Sequence, residues 1–205
     1  MLFETNVFIN CPFDDDYVFL LRPLIFTILY LDLEPKIAQV KSSSHIRVNQ
    51  IKQHIRESRF SIHDLSRSKP LKGSELPRFN MPYELGLDIG CLEFGDEKYR
   101  QKRILVLETE KYHYQKVLSD MAGQDIENHN DDPKTLVKKV RNWFSANDEI
   151  KSYPGANKIW LMYNQFYEDL KINLLADGYT ATEVAEMPTA DFIKFAKDWI
   201  EIIKS

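Results

Sequence analysis

The sequence predicts an α/β fold built on a parallel sheet. Three observations predict it. Short β-prone runs alternate with helical patterns from Thr5 to Asn147, as they do where parallel strands are joined by crossover helices. The strand-like runs end in polar turns (Cys11-Pro12-Phe13-Asp14, Lys41-Ser42-Ser43-Ser44 and Leu65-Ser66-Arg67). After Tyr153-Pro154-Gly155 the pattern becomes helix only. The expected architecture is a flavodoxin-like or Rossmann-like sheet of order 2-1-3-4-5, with helices on both faces and a C-terminal helical appendage. The expected division is residues 1–150 for the α/β domain and 151–205 for the helical extension.

Thr5 to Asn10 is the first strand, and the acids Asp14, Asp15 and Asp16 mark a helix start, where the dipole favours them. Tyr17 to Leu31 is a strongly apolar helix interrupted by Arg22 and Pro23. Glu34 to Val40 is the second strand. His45 to Ser58 sets Ile46, Ile51 and Ile55 among polar residues, an amphipathic helix. Arg59 to Leu65 is the third strand, and Ser66 to Asn80 a long polar loop.

Met81 to Phe94 is a helix opened by Pro82, which suits a first turn. Glu84 is expected in that turn, ionised by the dipole. Gly86 and Gly90 share a face and predict close approach of helix to sheet. Arg103 to Glu108 is the fourth and most apolar strand. Gly123 to Asn128 is a weaker fifth, and Pro133 to Asn147 a helix. Asn157 to Ala176, stopped by Asp177-Gly178, and Pro188 to Lys204 complete the chain. Trp160, Tyr163, Phe166, Tyr167, Phe192, Phe195 and Trp199 form a helical-spaced aromatic stripe. It could serve a partner or a dimer seam, but packing of the two helices on each other and on the sheet domain is the favoured reading.

Composition bounds the function. The 205 residues carry a net charge of −4, which argues against direct nucleic-acid binding. The 43% hydrophobic fraction supports a folded core. No signal peptide is read at the N-terminus, and no apolar stretch is long enough to span a bilayer. Cys11 and Cys91 lack metal-ligand spacing and are expected as reduced thiols in the cytoplasm. Neither a metal nor a cofactor is predicted. The chain has no Gly-x-Gly-x-x-Gly, no P-loop and no Gly-x-Ser-x-Gly, so any phosphate must be held by helix N-termini and arginines.

With the sheet order above, the crevice is lined by Asn10 to Asp16 and by Asp64 to Glu84. A carboxylate such as Glu84 in a crevice can act as a nucleophile, or stabilise an oxocarbenium-like cation. Acids also stabilise helix starts with no ligand present. Asp64 could bind a sugar hydroxyl, share a proton, or simply form the turn that follows it. Strand alternation points His63 away from Asp64, into packing. Arg67 and Arg78 could clamp a phosphate or be solvated.

Ile62-His63-Asp64-Leu65-Ser66, followed by Asn80-Met81-Pro82-Tyr83-Glu84-Leu85-Gly86, resembles the nucleoside 2-deoxyribosyltransferase-like proteins. It also resembles the bacterial TIR-like NAD-cleaving domains. Val7-Phe8-Ile9-Asn10-Cys11-Pro12-Phe13 is similar to their first strand and loop. The resemblance covers about residues 5–145. It implies a hydrolase or transferase acting on the N-glycosidic bond of a nucleotide, nucleoside or NAD, in a bacterial defence setting. Glu84 and Asp64 would be catalytic, and Phe8, Asn10, Pro12, Phe13, Arg78, Asn80 and Tyr83 would bind substrate. A homo-oligomer or a defence-system partner is the implied assembly. The alternative is a non-catalytic nucleotide-sensing or protein-interaction subunit on the same fold.

Overall fold

The computed structural model describes residues 3–38, 46–66, 79–111, 126–148 and 152–205. Among them, five strands form one all-parallel sheet: β1 (Asn6–Asn10), β2 (Glu34–Ile37), β3 (Phe60–Asp64), β4 (Arg103–Glu108) and β5 (Glu127–Asn128). Their order is β2-β1-β3-β4-β5, the order expected. Every neighbour pair is parallel, so each connection must cross over rather than turn tightly. Asn10 pairs with His63, and Asp64 with Leu107. These registers bring the carboxyl ends of β1, β3 and β4 to one edge.

The helices are α1 (Val18–Tyr30), α2 (Arg47–Glu57), α3 (Asn80–Phe94), α4 (Pro133–Asn147), α5 (Ala156–Ala176), α6 (Ala181–Ala185) and α7 (Thr189–Lys204). Short 3-10 turns cover Phe3–Thr5, Asp15–Tyr17 and Glu97–Gln101. The acids Asp15 and Asp16 open the second of these turns. Helix α6 was not expected from the sequence. Its signal is a capping box, in which Thr180 caps Glu183 and Glu183 returns to the Thr180 backbone.

Contacts divide the chain into two compact units. One is Met1–Tyr17 with Leu33–Asp132; the other is Val18–Asp32 with Pro133–Ser205. This division differs from the expected boundary at 150. Every residue of α1 from Leu20 to Tyr30 is buried, and α1 packs with α4, α5 and α7. A helix that is apolar all round must be covered all round, and that groups it with the other helices.

In the sheet unit, every residue of β1 and β3 is buried. Ile51 and Ile55 of α2 pack on Phe8 and Ala38. Met81 and Leu85 of α3 pack on Leu65 and Val106. Each such fully buried side chain contributes roughly 1.5–3 kcal/mol. Gly86 and Gly90 do not mark a close approach, as the spacing suggested. A Cβ added at either would meet nothing within 4 Å.

In the helical unit, Phe166 and Phe192 of the stripe are core, and the other five rings are half-buried. Phe26 stacks on Phe166 at 5.3 Å, and Phe166 meets Phe192 at 5.5 Å and Trp199 at 5.6 Å. The Trp199 indole donates to Asp169 Oδ2 (2.9 Å). Buried Arg22 donates to the carbonyls of Val184, Ala185 and Met187 (3.3, 2.9 and 3.4 Å) and lies over the Phe192 ring. Gly178, at φ +91°, ends α5 in a Schellman arrangement, with Tyr179 N–H on Leu174 O.

Candidate functional site

The carboxyl end of β1 runs into Cys11, Pro12, Phe13 and Asp14. Opposite it stand Arg47, the first residue of α2, and Phe79, Asn80, Met81 and Glu84 at the start of α3. These residues enclose a cavity of about 460 Å³, a volume within the range of small-ligand pockets. No side chain caps α2 or α3 at its N-terminus.

Glu84 is the fifth residue of α3, which begins at Asn80. It therefore lies beyond the first turn, and the predicted dipole effect does not govern it. Burial instead raises its pKa from 4.5 to about 6, while Arg47 opposes the rise. The side chain is almost fully enclosed, at 5% exposure. A carboxyl of that pKa is mostly ionised at neutral pH yet exchanges a proton close to it.

Arg47 was not singled out from the sequence. It lies over the Phe13 ring at 5.3 Å, a cation–π contact. Its signal is positional: a cation in the first turn of a helix opposes the macrodipole. Cys11, within the Asn10 to Asp16 run expected to line the crevice, is a wall of the cavity. Its thiol is buried, and burial followed by the charges of Asp64 and Glu84 pushes its pKa well up. It is a neutral thiol at the cavity wall, and both cysteines are free.

Asn10 ties the two sides of the cleft together. Its amide nitrogen donates to Met81 O (3.0 Å) and contacts His63 Nδ1 (2.9 Å). An amide N–H can only donate, so Nδ1 accepts and Nε2 carries the proton. Nε2 then donates to Asp88 Oδ2 (2.9 Å). Lys102 Nζ lies 3.1 Å from Asp88 Oδ1 and donates to Ile55 O and Ser58 O (2.8 and 2.6 Å). His63 is thus packed and hydrogen-bonded, as strand alternation predicted.

Asp64 does not line this cleft. It is fully buried and accepts from Tyr17 Oη, Ser66 Oγ, Ser66 N–H (2.8 Å) and His129 Nε2 (3.0 Å). Burial alone would raise its pKa, but the bonds from His129, Ser66 and Tyr17 hold it below the usual carboxylate value. The bond to Ser66 N–H is the turn-forming contact foreseen for Asp64. His129 Nδ1 accepts from Asp131 N–H (3.1 Å). Nε2 is therefore the protonated nitrogen, and it cannot act as base toward Ser66.

Asn10, Pro12, Phe13, Asn80 and Glu84 thus meet at one cavity. Phe8 points to the same face as Asn10 but lies two residues earlier, sealed beneath Ala38, Ile51 and Ile55. Tyr83 is 56% exposed and is not a wall of the cavity. Arg67 and Arg78 fall outside the described residues. His129 was missed because a polar turn, Asn128 to Asp132, gives no periodicity to read.

Among the described residues, no His, Cys, Asp and Glu group is arranged to hold a metal ion. No helix among them is long and apolar enough to cross a membrane. The fold and cleft define a Rossmann-like α/β protein with an acid–arginine pocket at its switch point. Comparison with protein-family models, with curated proteins and with solved structures returned no match.

Proposed function

We propose that the cleft binds a nucleotide-sized ligand and that Glu84 acts on its N-glycosidic bond. The observation that carries this reading is the Glu84 carboxyl, enclosed in a cavity of about 460 Å³ and poised at a pKa of about 6. In its ionised form it attacks the anomeric carbon, or stabilises the cation there, as the base departs. Arg47 is the cation suited to a phosphate, aided by the uncapped starts of α2 and α3. Two free thiols suit a reducing compartment.

The test is turnover of NAD, nucleotides and nucleosides by the protein and by Glu84→Gln. Loss of turnover in the variant supports the reading. Equal rates in the two proteins remove Glu84 from the mechanism.

A specific observation favours a second reading, a nucleotide sensor without turnover. Asp64, the expected partner acid, is occupied by its own donors and is not a cavity wall. The sensor reading expects ligand-induced thermal stabilisation that survives Glu84→Gln, with no product formed.

A further inference from the structure

The sheet unit carries a second concavity of about 480 Å³ that shares no residue with the Glu84 cleft. Its floor is apolar: Ile55 from α2, Leu87 and Cys91 from α3, and the ring of Tyr99. Gly90 opens a notch in the wall, since a Cβ there would meet nothing within 4 Å. Lys52 and Arg56, four residues apart on α2, line one side, and Asp96 is the one acid among the lining residues. Phe94 stands at the rim, 91% exposed.

We propose that this groove binds an acidic peptide segment of a partner protein. One apolar side chain of the peptide fills the notch beside Gly90, and its carboxylates meet Lys52 and Arg56. The charge argument is local against global: the chain is net −4, yet this lining is net positive. A cation near a helix C-terminus also complements the dipole, which accounts for Arg56, in the last turn of α2. It accounts for neither the space at Gly90 nor the exposure of Phe94. A solvent-facing aromatic beside an apolar notch has the makeup of a binding hot spot. Because Phe94 lies at the rim, a ligand that covers it must extend beyond the cavity, as a peptide does.

The test is fluorescence anisotropy on the full chain, using a short fluorescein-labelled peptide with one Phe between Glu residues. Saturable binding at low salt is expected. Affinity should fall on the order of tenfold in Lys52→Glu/Arg56→Glu, and by a similar factor in Gly90→Leu, which fills the notch. Phe94→Ala, at a position too exposed to threaten folding, should also weaken binding and serves if Gly90→Leu unfolds. Three outcomes overturn the proposal: no binding by the unaltered protein, equal binding of a peptide with Lys in place of Glu, or affinities unchanged in these variants. Displacement by N-acetyl-phenylalaninate at the same concentration as by unlabelled peptide would also overturn it, marking a small-carboxylate pocket instead.

Discussion

His63 and Asp88 face each other across 2.9 Å with neither side chain exposed to water. The pair joins β3 to the middle of α3, and Lys102 completes it on the far side of the carboxylate at 3.1 Å. Removing the carboxylate leaves the His63 Nε2–H with no acceptor and the buried Lys102 ammonium without a counter-charge. Asp88→Ala is therefore expected to cost about 3–5 kcal/mol, measured by urea denaturation. A loss below about 1 kcal/mol would mean the pair is hydrated.

The pH dependence of stability separates two kinds of carboxyl. Glu84 has a folded pKa raised to about 6 from 4.5. The folded state then holds the extra proton between those values, so stability falls as pH rises through that window. Glu84→Gln removes the penalty. It should be more stable than the parent at about pH 8, by on the order of 1–2 kcal/mol, and no different below about pH 4. Equal melting profiles at both ends would show that Glu84 is not desolvated.

Asp64 and Asp88 are opposite in sign. Burial raises each, but hydrogen bonds, joined at Asp88 by the Lys102 ammonium, hold both below 3.8. Their contribution is full above that value and is lost as the pH drops beneath it. Asp64→Asn should flatten the acid limb of a pH–stability curve and cost about 2–3 kcal/mol at neutral pH. An unaltered acid limb would count against the network around Asp64.

Two glycines of one helix region should respond oppositely to alanine. At Gly86, inside α3, the added methyl meets nothing within 4 Å. Gly86→Ala should stabilise by roughly 0.5–1 kcal/mol, the helix-propensity difference. At Gly95, a Cβ would stand 2.3 Å from Cys91 O and 2.7 Å from the Tyr99 ring. Gly95→Ala should destabilise, by about 1–3 kcal/mol for an overpacked site. Thermal melts of the two variants decide, and shifts of the same sign would refute the contrast.

Arg22 is a cation inside an otherwise apolar helix, bonded to three carbonyls around the end of α6. Arg22→Met should cost about 3 kcal/mol, because those acceptors lose a charged donor. Arg22→Lys should recover only part, since one ammonium lacks the guanidinium fork. A guanidinium chloride titration of both variants tests the order, and full recovery by Lys would contradict it.

The strands and long helices were legible because their signals are periodic. Arg103–Glu108 and Pro133–Asn147 fall where the residues placed them. Glu84, Asn10 and Phe13 were legible as cleft residues because the sheet order sends the end of β1 and the start of α3 to one edge. Helix α3, however, starts at Asn80. Pro82 is its third residue rather than its opener, so Glu84 sits later and is governed by burial. Arg47 and His129 were not legible, because each matters through a residue distant in sequence, Glu84 for one and Asp64 for the other. Phe8 was misplaced along the depth of a strand, a coordinate that alternation does not report. The glycine pair was misjudged because helical spacing assigns a face but not what the face meets.

The buried run from Lys102 through Asp88 and His63 to Asn10 ends on the Met81 carbonyl. In mechanical terms it is a tie rod, clamping α3 to two strands at its first turn and at mid-length. Sliding or tilting that helix would break several hydrogen bonds that water cannot replace. Glu84 can then adjust only by turning its own side chain. A ligand of the kind proposed for the cleft would meet a carboxylate already in position, and little of its binding energy would go into assembling that wall.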